Sequence, residues 1–370
     1  MRLAPVPAGA AGAAGTAVAA VTTHARKRHR PVHRRAGLPP RTWLILVITG
    51  LGVALAAGSL VALRTAGTTR CGASALLVPS CGAWWGMYLP VSNDGQLIPA
   101  VTGKERFLGR RLDIIERYHD MSASSDGIFP GPAEKQLARN HLLLFSWGPA
   151  VWSTSTRYRW SLIASGALDR TVIIPEARRL RAFHHTVFLT FSSEPDGAVP
   201  ALGTPAEFVA AWRHIHDVFA RAGVRNAVWV WTTEGYLPHA ATIAALYPGN
   251  AYVDWIGYDP YNYYTCHQTR WLSFAQTVEP FYHWLMARHF GGKPFMLAEF
   301  STVPDPLDPG RAAAWYQSIP PVIAALPQIK ALIQWDSTVP GCDLTIPSSS
   351  AAARGYRQSG LSPYFRKELP

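Results

Sequence analysis

A chain of 370 residues is long enough for one large domain or two domains of average size. The formal net charge of +12 does not indicate a nucleic-acid partner, because the first 70 residues hold ten Lys or Arg and no acid. Subtracting those ten from the 35 basic residues leaves 25 basic against 23 acidic residues in the remainder. Nucleic-acid binding would need the basic surplus on a folded face, so we expect none.

The segment before the first cysteine predicts a membrane anchor. Residues 1–41 are rich in Ala, Gly and His and predict a disordered basic tail. Residues 42–63 are 22 residues without a charge, and about 20 apolar residues span a bilayer. We therefore predict a single-pass protein of the cell membrane, with the basic tail cytoplasmic, a stalk at residues 64–82 and the rest extracytoplasmic. The alternative is secretion after cleavage of a signal peptide near Ala54, Ala56 and Ala57.

Four cysteines follow the apolar segment, namely Cys71, Cys81, Cys266 and Cys342. An even number of cysteines in an oxidising compartment indicates two disulfides. Cys71 with Cys81 would close a short loop, and Cys266 with Cys342 would tie two late loops together, but the sequence does not determine the pairing. The spacings do not suit a zinc site, so no metal is expected. No ATP, nicotinamide or flavin motif is visible, so no cofactor is expected either.

Short apolar runs alternate with longer amphipathic stretches in residues 83–365, which predicts a parallel α/β domain. Strands are predicted at residues 83–89, 117–121, 141–147, 186–191, 227–232, 252–259, 294–299 and 331–336. Eight strands in about 280 residues are typical of a (β/α)8 TIM barrel. A doubly wound sheet is the main alternative, but it normally has a glycine-rich phosphate turn after its first strand, and residues 90–95 are not such a turn.

Helices are predicted between these strands. Apolar positions from Glu105 to Tyr118 form one helical stripe. A second helix begins after Thr204, which forms a capping box with Glu207, and it stops at Gly223. Further helices are predicted at residues 271–290 and after residues 309–310, through residue 323.

Two of the predicted strands end on a glutamate. T-V-F-L-T-F-S-S-E ends at Glu194, and K-P-F-M-L-A-E ends at Glu299. The carboxyl ends of barrel strands surround one cleft, so we expect both carboxylates there. Cleavage of a glycosidic bond requires such a pair, a proton donor and a nucleophile or base. The alternatives are a surface loop glutamate for Glu194 and an ion pair or helix cap for Glu299.

Other acids and many aromatic residues are predicted at the same strand ends. Among the acids Asp120, Glu234, Asp259 and Asp336, Glu234 is the strongest competitor for a catalytic role. Asp259 and Asp336 are predicted to hydrogen-bond sugar hydroxyls or neighbouring side chains, and the alternative for each acid is to accept backbone amides. Flat aromatic rings can stack on the C–H faces of sugars. The aromatic residues predicted to bind substrate are Trp85, Trp147, Trp231, Tyr261 and Trp335. The alternative for each is filling of the core.

Several stretches, in this order, resemble glycoside hydrolase family 26, the family of β-mannanases and related glucanases and xylanases. The stretches are W-W-G-M-Y at 84–88, V-F-L-T-F-S-S-E-P-D-G at 187–197, Y-P-G-N-A-Y-V-D-W-I-G-Y-D-P-Y-N at 247–262 and K-P-F-M-L-A-E-F at 293–300. The resemblance covers residues 83–340. It implies a clan A TIM-barrel glycosidase with retaining chemistry, Glu194 as the acid/base and Glu299 as the nucleophile. It also implies that Tyr261 is the aromatic residue near the nucleophile and that Trp335 stacks on the sugar.

The chain departs from the family next to Glu194. The family usually has His-Glu-x-Asn there, and this chain has Ser193-Glu194-Pro195-Asp196, with Thr190 where an arginine is common. Our first hypothesis is a membrane-anchored extracytoplasmic hydrolase that cleaves a mannan-like or related β-glycan. The missing histidine motivates the alternative, a catalytically inactive carbohydrate-binding barrel of the cell envelope. A scaffold that binds a partner protein is the third hypothesis.

Overall fold

The computed structural model describes residues 71–124 and 127–365. The predicted tail, the predicted membrane anchor and the first part of the predicted stalk lie outside these described residues and stay predictions. Within the described ranges, no helix combines the length and the apolar character that crossing a bilayer requires.

Eight parallel strands form a closed barrel, as the sequence predicts. Each strand pairs with the next in chain order, and the last strand pairs with both the seventh and the first. The strands are β1 (Trp84–Tyr88), β2 (Ile114–His119), β3 (Leu142–Trp147), β4 (Val187–Phe191), β5 (Ala227–Thr233), β6 (Trp255–Tyr258), β7 (Phe295–Thr302) and β8 (Ile329–Trp335). The closed ring excludes the doubly wound sheet.

Helices connect the strands around the barrel. They are α1 (Leu97–Leu108), α2 (Pro132–Leu137), α3 (Trp160–Ala164), α4 (Ile174–Phe183), α5 (Pro195–Ala198), α6 (Pro205–Arg221), α7 (Ala240–Ala245), α8 (Phe274–Ala287), α9 (Arg311–Gln317), α10 (Ile319–Ala325) and α11 (Ala351–Gly360). Two-residue strands at Ala150–Val151, Thr156–Arg157, Tyr261–Asn262, Thr338–Val339 and Cys342–Asp343 lie in the loops.

The helix predicted over residues 105–118 is wrong. Helix α1 begins earlier, at Leu97, and ends at Leu108, because Gly109 adopts the left-handed conformation (φ 69°) that closes many helices. The apolar residues that follow belong to β2, which begins at Ile114. Strand β2 was predicted a few residues too late, since the two strand-forming isoleucines also fit the helical stripe.

Side chains alternate between the two faces of the barrel wall, so neighbouring residues have different surroundings. Trp84 packs inside the barrel with Ile114, Leu144, Phe188 and others from the early part of each strand. These apolar residues fill the amino-terminal half of the interior. A ligand can therefore reach the interior only from the carboxyl-terminal end, where polar side chains follow.

Residues 71–82, predicted as part of a stalk, instead pack under the barrel. Leu77 joins the interior apolar cluster. The indole N–H groups of Trp84 and Trp255 donate hydrogen bonds to the carbonyls of Leu77 and Leu76, both at 2.7 Å. This segment therefore closes the amino-terminal end of the barrel and belongs to the same domain.

Both predicted disulfides are formed. Cys71 pairs with Cys81 within the closing segment, and Cys266 pairs with Cys342. The second disulfide joins the loop after β6 to the loop after β8 at the carboxyl-terminal end of the barrel. It therefore ties together two of the loops that surround the cleft.

The capping box at the start of α6 offers a test of local stability. The Thr204 hydroxyl accepts the Glu207 amide N–H at 3.2 Å, and the Glu207 carboxylate accepts the Thr204 amide N–H at 2.7 Å. We expect Thr204→Ala to reduce the free energy of unfolding by about 1 kcal/mol, because one amide loses its partner. Denaturant unfolding would measure the change. Thr277→Ala, at a partly buried position of α8 where the hydroxyl donates only to a carbonyl of its own helix, is a control expected to stay within about 0.5 kcal/mol.

Candidate active site

Glu194 follows β4 in an unusual backbone conformation. It has φ 53° and ψ 49°, in the left-handed region, and it caps the short helix α5. Ser192 also has positive φ, at 49°. The amide N–H of Glu194 donates to the carbonyl of Thr232 on β5 at 3.1 Å, which fixes the turn. Left-handed non-glycine residues are uncommon and concentrate at functional sites.

Glu299 lies within β7 and is held at both its backbone and its side chain. Its amide N–H donates to Asp259 Oδ1, just after β6, at 2.8 Å. One carboxylate oxygen accepts a hydrogen bond from the Tyr118 hydroxyl of β2, and the other accepts one from the Tyr261 hydroxyl. Contacts from three parts of the barrel therefore fix the orientation of this carboxylate.

The two predicted glutamates lie together. Glu194, Asp259 and Glu299 each offer a carboxylate oxygen, and these oxygens lie within 4.8 Å of one another. Glu194 and Glu299 are both only partly buried, so a ligand can reach them. The alternative interpretation of Glu299 as an arginine ion pair is wrong, because its described partners are tyrosine hydroxyls. The chemical roles of the two glutamates stay predictions.

The surroundings of Glu194 and Glu299 shift the pKa values of the two carboxyl groups differently. Burial, and then the negative charge of Glu299, raises the pKa of Glu194 well above its ordinary value. Burial also raises the pKa of Glu299, but hydrogen bonds from Tyr118 and Tyr261 oppose that shift. Because two neighbouring carboxylates resist ionising together, this arrangement favours a protonated Glu194 beside an ionised Glu299.

Aromatic rings line the side of the cleft next to Glu299. Trp335, at the end of β8, stacks on Tyr88 at 5.9 Å between ring centroids and meets Tyr261 edge-on at 6.4 Å. Tyr263 stacks on Tyr261 at 5.1 Å. Trp335 and Tyr261 are only partly buried, and their contact with a substrate stays a prediction.

Three tryptophans predicted to bind substrate do not face the cleft. Trp85, Trp147 and Trp231 are at most 1 % exposed and pack in the layer between the strands and the helices. Trp85, for example, contacts the ring of Tyr356 on α11 at 4.5 Å. The prediction was wrong for these three because a strand turns every second side chain outward, and each occupies an outward position.

Sequence reasoning missed Tyr118, which was assigned to a helical stripe. On β2, Glu116 and Tyr118 are two residues apart and point into the barrel beneath and beside Glu299. The Glu116 carboxylate is buried and accepts a hydrogen bond from Ser146 at 2.8 Å. Polar residues at alternate positions near the end of an apolar run are the signal that would have found both.

The other acids at strand ends have structural partners. Asp120 accepts amide N–H groups from Ser122 and Trp152, at 2.9 and 2.8 Å. Asp336 forms a salt bridge with Lys104 at 2.7 Å. Asp259 is 4 % exposed and holds the backbone of Glu299, so its predicted bond to a sugar hydroxyl has no direct support.

Within residues 71–124 and 127–365, two groups of side chains have enough ligand atoms for a cation. In the first, Glu194, Asp259 and Glu299, both oxygens of Glu299 already accept tyrosine hydroxyls, which suits a nucleophilic carboxylate better than a metal ligand. In the second, Asp196, Glu234 and His239, the ligand atoms also lie within 4.8 Å of one another. Burial, and then the charge of Glu234, raises the pKa of Asp196 to about 7.

Comparison with known proteins identifies relatives of this barrel. Residues 200–289 match the family model for glycosyl hydrolase family 26. Endoglucanase H of Acetivibrio thermocellus is 27 % identical over an alignment of 297 residues that covers 75 % of this chain and 30 % of that protein. The predicted resemblance to family 26 is confirmed. These findings support the assignment of a glycosidase, although the chain spans less than a third of the length of that relative.

Solved β-mannanase structures share the fold. A ruminal family 26 endo-β-1,4-mannanase superposes with a TM-score of 0.56 at 15 % identity, over 76 % of this chain and 64 % of that one. A β-mannanase from a symbiotic protist of the termite Reticulitermes speratus, complexed with gluco-manno-oligosaccharide, gives 0.53 at 16 % identity, over 80 % and 97 % of the two chains. At these identities the likeness shows the common barrel alone.

Proposed function

We propose that this protein is a retaining glycoside hydrolase that cleaves a β-linked glucan or mannan. The observation that carries this proposal is the approach of the Glu194 and Glu299 carboxylates to within 4.8 Å at the open end of the barrel. Carboxyl groups about 5–5.5 Å apart act as nucleophile and acid/base in retaining enzymes, whereas inverting enzymes separate them by about 6.5–9.5 Å to admit a water.

The mechanism follows from the two environments. Glu299, ionised and held by two tyrosine hydroxyls, attacks the anomeric carbon and forms a glycosyl ester. Glu194, protonated, donates its proton to the departing glycosidic oxygen. The resulting Glu194 carboxylate then removes a proton from water, which hydrolyses the ester and restores both groups. The configuration at the anomeric carbon is retained, because it is inverted twice.

The aromatic rings that line the cleft next to Glu299 are an argument for a polysaccharide substrate. Trp335, Tyr88 and Tyr261 present ring faces and edges beside Glu299, where a sugar unit would lie during attack. The names of the relatives point to β-linked glucan and mannan as substrates of those proteins. We extend that class to this chain. Because Ser193 stands where the family usually has a histidine, the sugar has to be identified by experiment.

A polysaccharide panel tests the proposal. The purified protein should release reducing sugar from at least one of β-mannan, glucomannan, mixed-linkage β-glucan, cellulose and xylan. Proton NMR of the first product should show the β-anomer before mutarotation. An α-anomer would contradict the retaining mechanism. Oligosaccharide binding without release from any polymer would favour the inactive carbohydrate-binding barrel, the alternative suggested by Ser193.

We further propose that residues 42–63 anchor the protein in the cell membrane and that the barrel lies outside. The charge-free length of the segment and the basic residues before it support this topology. The full-length protein should remain with membranes after a carbonate wash, and added protease should reach the barrel in intact cells. A soluble mature protein that begins after residue 57 would instead support the cleaved signal peptide.

The tyrosine hydroxyls give a prediction of pH dependence. Tyr118→Phe removes a donor to the ionised form of Glu299, so the pKa of Glu299 should rise. Ionised Glu299 is required for activity. As the pH is lowered, the variant should therefore lose activity at a higher pH than the wild type, and the acidic limb of its kcat/KM profile should shift to higher pH. We expect kcat/KM at the wild-type optimum to fall about tenfold or more, since a bond to a charged group contributes about 1.5–3 kcal/mol.

The matched control is Tyr364→Phe, a hydroxyl deletion in the segment after α11, which should leave the profile unchanged. Tyr261→Phe should behave like Tyr118→Phe, because its hydroxyl binds the other oxygen of Glu299. If neither substitution at the carboxylate moves the acidic limb, the tyrosines do not control ionisation of Glu299.

A further inference from the structure

A second polar group lies beside the proposed active site. Asp196 is in α5, Glu234 directly follows β5, and His239 ends the helical turn Leu237–His239. His239 Nδ1 lies 3.3 Å from Glu234 Oε2 and 3.9 Å from Asp196 Oδ2. Ligand atoms about 2.0–2.2 Å from a tetrahedral cation are separated from one another by about 3.4 Å. Ligand atoms of all three side chains lie within 4.8 Å of one another, which is close enough for one small cation to contact all three after small side-chain movements.

Asp196 provides an independent indication of a missing partner. Its side chain is fully buried, at 0 % exposure. Oδ1 accepts the amide N–H of Glu234 at 3.1 Å, which turns Oδ2 toward His239. Among the residues that the structure describes, Oδ2 has no hydrogen-bond partner. A buried carboxylate oxygen that accepts no hydrogen bond is unfavourable, so this atom indicates a place for a ligand.

The neighbouring residues hold the other two ligands in place. A Cβ on Gly197 would lie 2.2 Å from Glu234 Oε1, so glycine at this position makes room for that carboxylate. The amide N–H of His239 donates to the carbonyl of Tyr236 at 2.8 Å, and the two rings meet edge to face at 5.1 Å. The side chain of His239 is 42 % exposed, which leaves a path from solvent to the group.

We propose that Asp196, Glu234 and His239 bind one divalent transition-metal cation of the Zn²⁺ class, with water completing its coordination. One imidazole nitrogen and two carboxylate oxygens are a donor set that suits Zn²⁺ and its first-row neighbours. Mg²⁺ and Ca²⁺ are hard cations that take oxygen ligands, so the imidazole of His239 disfavours them. The cation would join α5 to the loop after β5. The competing arrangement is a protonated His239 that pairs with both carboxylates and binds no metal.

Calorimetry and Co²⁺ absorption test the site in the full-length protein. The chain also has His24, His29 and His33 near its amino terminus, and these histidines can bind Zn²⁺ as well. The number of bound Zn²⁺ ions must therefore be compared between the wild type and each variant. After treatment with a chelator, the wild type should bind one equivalent of Zn²⁺ more than Glu234→Gln or His239→Ala. It should also show a visible Co²⁺ band of tetrahedral intensity that both variants lose. A hundredfold excess of Mg²⁺ should leave this band in place.

His185→Ala is the matched control, because His185 is an exposed histidine before β4, at the other end of the barrel. It should bind as many equivalents as the wild type. Circular dichroism should confirm that each variant is folded, and Glu234→Gln is nearly isosteric at a partly exposed position. Equal Zn²⁺ stoichiometry and affinity in the wild type, Glu234→Gln and His239→Ala would overturn the proposal. Displacement of Co²⁺ by Mg²⁺ would overturn it as well.

Discussion

Replacing Glu299 with glutamine is expected to lower kcat on a β-glycan by about 10⁴-fold or more. The amide cannot attack the anomeric carbon, and it carries no negative charge to stabilise the transition state. The variant should still fold, because the amide oxygen can accept one of the two hydroxyls that now hold the carboxylate, those of Tyr118 and Tyr261. Initial rates of reducing-sugar release, with thermal melting alongside, would measure both properties.

Glu279→Gln is the matched control for this substitution. Glu279 lies on α8, outside the barrel ring, so the same change of chemistry there should leave kcat within about twofold of the wild type, as surface substitutions rarely affect more. If Glu299→Gln retains more than a tenth of the wild-type turnover, Glu299 is not the nucleophile.

Covalent trapping separates a nucleophile from a residue that only stabilises charge. A 2-deoxy-2-fluoro glycoside with a good leaving group should add one glycosyl unit to the wild-type protein. Fluorine slows both formation and hydrolysis of the ester, whereas the good leaving group speeds only formation, so the ester accumulates. Peptide mass spectrometry should place the sugar on Glu299. Labelling of Glu194 or Glu234 instead would assign the nucleophile differently.

The barrel was predictable because its signal is repeated eight times. Each strand is a short apolar run followed by an amphipathic stretch, and errors at one boundary do not change the count. The helix predicted over residues 105–118 shows where this fails. Its apolar spacing fits both a helix and the start of β2. Gly109, which ends the helix, decides between the two.

The position of the two glutamates was also predictable, because the end of a parallel strand determines which rim of a barrel a residue occupies. Whether a strand side chain points into the barrel or outward to the helices was not predictable. Trp85, Trp147 and Trp231 lie in the right strands but point outward, and only the pairing of each strand with its neighbours fixes that parity. Tyr118 was missed for a different reason, because its spacing also fits the helical stripe predicted over residues 105–118.

Contacts that depend on loop conformation could not be derived from the sequence. The left-handed turn at Glu194 and the contact of Glu234 with Asp196 arise where two loops meet, and no periodic pattern extends through them. The residue types gave a hint, since Glu234 was recognised as an acid at a strand end. Its partners His239 and Asp196 lie 5 residues later and 38 residues earlier in the chain.

The second large effect is expected for Glu194→Ala. Departure of a sugar hydroxyl from a polysaccharide needs a proton, so kcat/KM on a polymer should fall about 10²–10⁴-fold. The dinitrophenolate group of a dinitrophenyl glycoside leaves without protonation. For this substrate, formation of the glycosyl ester should keep a rate within about tenfold of the wild type. The second step should then become limiting, because water has lost its base, and a burst of dinitrophenol should precede slow turnover.

Azide provides the decisive measurement for Glu194, since it attacks the glycosyl ester without base assistance. Added azide should accelerate turnover of the dinitrophenyl glycoside by Glu194→Ala. The product should be the β-glycosyl azide, because azide attacks the anomeric carbon from the side of the sugar on which Glu194 assists water in the wild type. Glu234→Ala, at the other acid near this rim, should show neither the burst nor the azide product. If azide rescues Glu234→Ala instead, proton transfer belongs to Glu234, and the raised pKa of Glu194 has no part in it.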